Sequence, residues 1–348
     1  MTWLVTGGAG YIGAHVVAAL REAGMGAVVL DDLSSGFADR LPAGVPCVVG
    51  SVLDGRLVEG VLRDHRVDGV IHLAAKKRVP ESVGDPLFYY RENVEGLRVL
   101  LEAASRADVK RFVFSSSAAV YGSPPTEYIT EETPCHPVNP YGETKLAGEW
   151  LVRAVAHARG PGYVSLRYFN VAGAGTPELA DRQAANLIPM VFEQLALGRR
   201  PVVFGADYPT PDGTCVRDFI HVSDLAAAHV AAARRLTADA GARLTLNVGR
   251  GRGVSVREII TLIGEVTGRP VEPTVMERRA GDPARVVASV DSVLRELGWS
   301  ARFGVREMIS SAWTGWQRQY GEGSTPSAPR QRVIRFSRGC GAPTVRPI

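Results

Sequence analysis

Thr6-Gly7-Gly8-Ala9-Gly10-Tyr11-Ile12-Gly13 follows directly on the apolar run Trp3-Leu4-Val5. Gly7, Gly10 and Gly13 are spaced G-x-x-G-x-x-G, and Val16, Val17 and Leu20 continue beyond them at helical period. A glycine trio alone says little; a trio between a strand and a helix, at the start of a βαβ unit, says much more. The tight turn needs positive φ, and a pyrophosphate must approach the backbone closely. The helix N-terminus then offers unpaired N–H groups and the positive end of its dipole to the phosphates. The plain alternative is a glycine-rich connection with no ligand.

The second apolar run, Ala27–Leu30, leads into Asp31-Asp32. Asp31 stands eighteen residues beyond Gly13, close to the spacing at which a carboxylate meets the adenosine ribose hydroxyls. A carboxylate there repels a 2′-phosphate, and the nearest arginine is Arg40. The expected cofactor is therefore NAD.

Working outward, Leu4–Thr6, Ala27–Leu30, Val45–Val49, Gly69–Leu73, Arg111–Ser115 and Tyr163–Tyr168 read as strands. Helical stretches separate several of them, including the one marked by Val94, Leu97, Val99 to Leu101 and Ala104. Continuous apolar strands alternating with helices mean a parallel sheet covered on both faces. From about Val171 elements shorten and Pro and Gly become frequent. Val202–Phe204, Arg217–His221, Leu244–Val248 and Val271–Met276 read as strands, and Val222–Arg235, Val256–Thr267 and Val305–Tyr320 as helices. The expected fold is α/β: a doubly wound (Rossmann) sheet over 1–170, to which some later segments return, and a smaller α/β lobe over 171–320. Residues 321–348 are rich in Gly, Ser, Pro and Arg without periodicity and read as a disordered tail.

Bulk properties exclude several classes. The chain has 348 residues, 45% hydrophobic and 22% charged, which is ordinary globular composition. The start has no basic leader and no stretch approaches a membrane span, so a soluble, cytoplasmic protein without membrane partners is expected. Cys47, Cys135, Cys215 and Cys340 lie far apart, and the seven histidines are scattered; free thiols and no metal are expected. The net charge is +4, but the tail carries Arg330, Arg332, Arg335, Arg338 and Arg346 and no acid, so the body is 4 − 5 = −1. That is no nucleic-acid surface.

Ser115-Ser116-Ser117 closes one strand, and Tyr141-Gly142-Glu143-Thr144-Lys145 opens a later helix. Tyr141 and Lys145, at i and i+4, share a helix face. A tyrosine of ordinary pKa near 10 is a poor base at neutral pH, but a nearby ammonium and a positive nicotinamide favour the phenolate. Tyr141 then serves as general base for a hydroxyl that Ser117 orients. The pattern Y-x-x-x-K arises often by chance. Combined with the nucleotide turn and a serine at a strand's C-terminal edge, where doubly wound sheets bind ligands, it gains force.

These residues resemble the extended short-chain dehydrogenase/reductase superfamily, and within it the UDP-glucose 4-epimerases. The likeness covers about residues 1–320 and rests on T-G-G-A-G-Y-I-G at 6–13, S-S-S-A-A-V-Y-G at 115–122, P-Y-G-E-T-K at 140–145, R-Y-F-N at 167–170, N-L-I-P at 186–189, D-Y-P-T-P-D-G-T at 207–214, V-R-D-F-I-H-V at 216–222 and R-R-A-G-D at 278–282. The resemblance implies that Tyr141 takes the O4 proton while the C4 hydride passes to NAD. The 4-keto sugar then turns and receives the hydride on its other face. It implies cofactor contacts from Gly7, Gly10, Tyr11, Ile12, Gly13, Asp31, Asp32, Ser51, Val52, Leu73, Ala74, Ala75, Lys77, Asn93, Ser115, Lys145 and Phe169. Ser117, Tyr141, Asn170, Asn186, Leu187, Phe204, Arg217, Arg279, Asp282 and Val286 would meet UDP-glucose or UDP-galactose, in the 171–320 lobe for the most part. Arg217 and Arg279 suit a diphosphate, since guanidinium forks pair with phosphate oxygens. A homodimer through the stretches Pro86–Arg106 and Asn139–Ala158 is also implied.

Three positions depart from the family pattern. Gly50-Ser51 stands where Gly-Asp is usual near the adenine, Phe219 where Tyr is common, and Val286 where strict glucose/galactose enzymes tend to carry a bulky aromatic. A smaller residue at 286 goes with room for a 2-acetamido group, so UDP-GlcNAc and UDP-GalNAc are expected as further substrates. The nearest rival is a nucleotide-sugar 4,6-dehydratase, whose Asp-Glu pair after the catalytic Ser/Thr is replaced here by Ala118-Ala119. UDP-glucuronate epimerases and decarboxylases stay open. A non-catalytic NAD-binding regulator is the rival of another class, and the retained Tyr141 and Lys145 speak against it.

Overall fold

A computed structural model of the chain describes residues 1–183, 186–279 and 282–321. Of the expected tail 321–348, all but Gly321 lies outside the described residues, as do Cys340 and, within R-R-A-G-D, Ala280 and Gly281.

The first half runs β1 (Thr2–Thr6), α1 (Tyr11–Glu22), β2 (Gly26–Asp31), β3 (Cys47–Val49), α2 (Gly55–Asp64), β4 (Gly69–His72), α3 (Val79–Gly84), α4 (Pro86–Tyr89), α5 (Gly96–Arg106), β5 (Arg111–Ser117), α6 (Pro140–Arg159) and β6 (Gly162–Tyr168). Then come β7 (Asn170–Ala172), α7 (Leu187–Ala196), β8 (Val202–Phe204), β9 (Val216–His221), α8 (Val222–Ala238), β10 (Arg243–Val248), β11 (Gly253–Ser255), α9 (Val256–Thr267), β12 (Thr274–Met276), β13 (Arg285–Val286), α10 (Asp291–Leu297) and α11 (Val305–Tyr320).

Seven parallel strands form the main sheet in the order β10-β6-β5-β4-β1-β2-β3. Successive side chains of a strand point to opposite faces, and both faces are buried here. Trp3 and Val5 enter a core with Val16, Val17 and Leu20 of α1 and Leu225 and Val230 of α8. Leu4 enters the opposite core with Val58 and Leu62 of α2, Leu97 and Leu100 of α5 and Val152 of α6. The sheet is doubly wound, as the alternation of elements predicts. Among the described residues no helix is long and apolar enough to cross a membrane.

Leu244–Val248, read from sequence beside the short elements of the second half, is instead the edge strand β10 of the main sheet, and α8 packs on that sheet as well. These are later segments that return. The expected strands Val45–Val49 and Val271–Met276 shrink to Cys47–Val49 and Thr274–Met276, each beginning after a proline that cannot donate to a ladder. Arg111–Ser115 lengthens to Ser117. The helical stretch expected near Pro86–Arg106 runs on without a break, but between α4 and α5 it widens into a π-helical stretch, Tyr90–Glu95.

A second, small sheet is built on β9. β11 pairs antiparallel and β13 parallel with its first half, and β7 lies parallel along its second half. β8 and β12 form a separate parallel pair. Behind these strands α7, α9 and α11 share a core of Ile188, Phe192, Ile259, Ile263, Met308 and Trp316.

Candidate active site

The glycine turn is shaped by contacts that exclude side chains. Gly7 has φ of +70°, and a Cβ there would lie 2.7 Å from the Ala74 backbone nitrogen. A Cβ on Gly13 would lie 2.1 Å from the Gly7 carbonyl oxygen. Gly10 is different: its Cβ would sit 3.2 Å from that same oxygen, with nothing else beyond the adjoining chain within 4 Å among the described residues. Packing within the chain therefore requires Gly7 and Gly13, whereas Gly10 leaves a cradle open on its outer side. Gly10 is also the N-cap of α1, so the N–H groups of Tyr11, Ile12 and Gly13 have no helical partners and face that cradle. The donor set fits a diphosphate.

Asp31 closes β2 beside the turn. Its carboxylate accepts from the Ala9 N–H at 2.9 Å and from the Leu33 N–H at 2.8 Å. Burial raises its pKa, with those two hydrogen bonds pulling the other way. Each oxygen keeps a lone pair for a ribose hydroxyl. On the far side of β3, the Ser51 hydroxyl accepts from the Leu53 N–H at 3.1 Å and Val52 is buried, so no carboxylate occupies this corner. Asp54, three residues on, is spent capping α2.

Leu73, Ala74 and Ala75 leave the end of β4 against the turn. Lys77 is exposed, while its neighbour Lys76 is held. Asn93, buried in the π-helical stretch, accepts from the Lys76 N–H at 2.8 Å and donates to the Lys76 carbonyl and the Thr144 hydroxyl, both at 3.0 Å. Asn93 thus ties the loop after β4 to α6, and both its amide protons are committed there.

Ser117 is the last residue of β5, and its hydroxyl accepts from the Ala119 N–H at 3.2 Å. Asn139 caps α6 by accepting from the Gly142 N–H at 2.9 Å, and Pro140 fills the first turn. That places Tyr141 at the helix start, buried, beside Ser117. One turn later Lys145 donates from Nζ to the Ser115 carbonyl at 2.8 Å, with Nζ 6.0 Å from the Tyr141 ring centroid. Burial pushes Lys145 down to about 8, with Glu149 opposing. Burial pushes the Tyr141 phenol up, and the Ser117 hydroxyl pulls it down. The sequence argument gave that second task to the ammonium and the nicotinamide; here burial outweighs the pull of Ser117, and the Lys145 ammonium donates to the Ser115 carbonyl. Favouring the phenolate therefore falls to Ser117 and to a cationic nicotinamide.

Two neighbours were missed from sequence. Glu149, one further turn along α6, is buried and accepts from the Ser116 hydroxyl at 2.5 Å and from Arg167 Nε and Nη2 at 2.8 and 2.6 Å. Arg167 also donates to the Tyr121 hydroxyl at 2.8 Å. The signal was present: residues 141, 145 and 149 repeat every four. His15 was missed too. Its Nδ1 donates to the Tyr11 carbonyl at 2.8 Å and its Nε2 accepts from the Gly175 N–H at 2.9 Å, while the Tyr11 hydroxyl donates to the Gly173 carbonyl at 2.5 Å. The first turn of α1 thereby grips the chain leaving β7.

The residues expected to meet a nucleotide sugar mostly form one chain of contacts. The Arg279 guanidinium lies 3.8 Å over the Phe204 ring. The Asp282 N–H donates to the Arg279 carbonyl at 3.2 Å, and the Asp282 carboxylate pairs with Arg217. Arg217 is in register with Val286 across β9 and β13. Val286 in turn packs with Tyr121, Leu146 and Phe169, and Asn170 follows at the start of β7. Asn186 and Leu187 stand apart at the start of α7, where the Asn186 amide donates to Asp181 at 3.3 Å.

The family model described as NAD dependent epimerase/dehydratase family matches residues 3–249. The UDP-glucose 4-epimerase of Azospirillum brasilense is 48% identical over 320 residues, covering 90% of this chain and 91% of that one. Among solved structures, a UDP-glucose 4-epimerase from Stenotrophomonas maltophila with bound NAD and formylated UDP-arabinopyranose superposes with a TM-score of 0.88 at 38% identity, over 93% of this chain and 100% of that one. A UDP-Glc/GlcNAc 4-epimerase from Campylobacter jejuni superposes with a TM-score of 0.80 at 34% identity, over 91% and 99%.

Proposed function

The chain belongs to the NAD dependent epimerase/dehydratase family, and from that premise we propose that it is a UDP-glucose 4-epimerase. Its cofactor is NAD. The observation that carries the reading is the meeting of Ser117, Tyr141 and Lys145 at the C-terminal edge of β5, two strands from the glycine turn on β1. The Azospirillum and Stenotrophomonas enzymes, alike over nine-tenths of the chain, support it.

NAD, when bound, supplies reversible acceptance of the C4 hydride. Tyr141 takes the O4 proton as the carbonyl forms and returns it as the carbonyl is reduced. Ser117 holds O4 by its hydroxyl. Lys145, anchored on the Ser115 carbonyl, keeps a positive charge against the base side of the site. Arg217 and Arg279 hold the diphosphate, so that the sugar alone is free to turn between the two half-reactions. Ala118-Ala119 begin a 3₁₀ turn after β5 and carry no proton-transfer group, which favours return of the hydride to C4 over loss of water.

Val286 is a small residue in the cluster with Phe169, and on that ground UDP-GlcNAc and UDP-GalNAc belong to the same reading. The Campylobacter enzyme, named for both sugars, supports this. A homodimer through α5 and α6, where Trp150 is 55% exposed, and residence in the cytoplasm complete the proposal.

Purified protein is incubated separately with UDP-galactose, UDP-glucose, UDP-GlcNAc and UDP-glucuronate and the products are resolved. UDP-glucose from UDP-galactose is expected. No product from UDP-galactose sinks the proposal, and a 4-keto-6-deoxy product from UDP-glucose would reinstate the dehydratase. A bystander NAD-binder shows neither product nor nicotinamide reduction with UDP and sugar.

A further inference from the structure

Lys76 does something no neighbour explains. Its backbone is clamped on both sides by the Asn93 amide, at 2.8 and 3.0 Å. Its side chain then leaves the end of β4 and reaches the end of β2. There Nζ donates to the Ser34 hydroxyl at 2.8 Å and lies 3.6 Å from the Asp32 carboxylate. The Ser34 hydroxyl donates in turn to Asp32 at 2.6 Å, and the Phe88 ring centroid lies 5.8 Å from Nζ on the other flank. In the sheet β1 lies between β4 and β2, so this bridge crosses the C-terminal edge of β1, from which the glycine turn springs. Two strand spacings, about 10 Å, separate its anchors. A long side chain with a fixed root and three partners at its tip gives up rotamer freedom, and an exposed ion pair seldom repays that by itself.

We propose that Lys76 is a cofactor-retaining residue: bridged to Ser34 and Asp32, its ammonium straps the dinucleotide cleft and slows the release of NAD. The proposal rests on NAD as cofactor but not on the sugar reaction. Whatever lies along Gly7–Gly13 with its ribose at Asp31 must pass the line between β4 and β2 to leave. A cofactor used as a hydride store gains from a slow exit, because a loss between half-reactions strands the oxidised sugar.

The test is exchange of bound NAD against isotopically labelled NAD in solution. Lys76→Met, which keeps the stem and removes the charge, is expected to exchange about fivefold faster. Lys76→Arg, which can still reach the carboxylate, is expected to exchange within about twofold of wild type. Asp32→Asn attacks the far anchor and should raise exchange in the same direction. The double variant Lys76→Met/Asp32→Asn should exchange no faster than the faster single variant, since both remove one contact. High salt should speed the wild type and leave Lys76→Met nearly unmoved. Exchange in Lys76→Met equal to wild type overturns the strap while leaving the cofactor reading intact, and so does full additivity of the two variants. A purified chain that neither carries nor takes up NAD overturns both.

Discussion

Lys145 lies inside the protein with Nζ 2.8 Å from the carbonyl oxygen of Ser115, so a buried cation is held by a peptide dipole and by the charge of Glu149 one turn on. Its proton affinity shows what that costs. Burial brings its pKa from 10.5 to about 8, so between pH 8 and 10.5 the unfolded chain holds a proton that the folded one has released. The unfolded state binding more protons means that stability rises with pH across that window. Relative to Lys145→Met, the wild type should gain up to about 3 kcal/mol between pH 8 and 10.5 in urea unfolding. A flat difference between the two proteins would show that Lys145 stays an ammonium throughout.

On the proposed reading Tyr141 exchanges a proton with O4 while Ser117 orients it, and Tyr141→Phe removes the first of these hydroxyls. Epimerisation should fall by about 10²–10⁴-fold while bound NAD, measured after denaturation, is retained. Full activity in this variant would assign the base elsewhere.

Arg167 and Glu149 form a buried pair with two contacts, and Lys145, one turn back on α6, is a second cation acting on Glu149. Arg167→Met strands the carboxylate and should cost about 3–5 kcal/mol in urea unfolding. Replacing both with apolar residues should cost less than Arg167→Met alone. The opposite order would mean that the pair is more than a mutual neutralisation.

Four buried histidines set the acid limit, and burial lowers His221 in the same direction as the other three. Burial lowers His15 and His229 to about 4 and His72 to about 3, from 6.5 in each case. As pH falls from 6.5 toward 4 the unfolded chain takes up protons that the folded one refuses, so stability drops. Asp218 opposes them, since burial raises it from 3.8 to about 6 and it is protonated first in the folded state. Those three histidines and Asp218 together give an uptake on unfolding near pH 5 of about two protons, or about 3 kcal/mol per pH unit, to which His221 adds in the same direction. Unfolding free energies at pH 6, 5 and 4.5 measure this slope, and an independent value near zero would place compensating groups elsewhere.

Val286→Tyr narrows the wall shared with Phe169 and Tyr121. Turnover of UDP-GlcNAc should fall by roughly tenfold or more relative to UDP-galactose, since the lost volume is about that of the acetamido group. An unchanged ratio would remove Val286 from the sugar pocket.

The sequence was most legible where meaning is local. The glycine turn, the carboxylate at the end of β2 and the i, i+4 pair on α6 each depend on neighbours within a few residues, and periodicity is enough to see them. Leu244–Val248 shows the limit. Its alternation says strand, but its place beside β6 depends on α8 folding back over β5, and nothing in five residues records that. Lys76 and Ser34 are 42 residues apart, and Arg167 and Glu149 eighteen; a lysine or arginine read singly looks like a solvated charge. The partner of the Lys145 ammonium is hidden for the same reason, since it is a backbone carbonyl on another element.

Helix α6 carries Tyr141, Lys145 and Glu149 on one face over about 12 Å of rise, between an asparagine cap and a left-handed glycine. It works as a ruler whose marks are fixed by the count of residues rather than by their chemistry. A one-residue insertion between 141 and 149 would turn everything after it by about 100° and swing Glu149 away from Ser116 and Arg167. This stretch should therefore accept many substitutions on its outer face, yet reject changes in length that the loop before Asn139 absorbs.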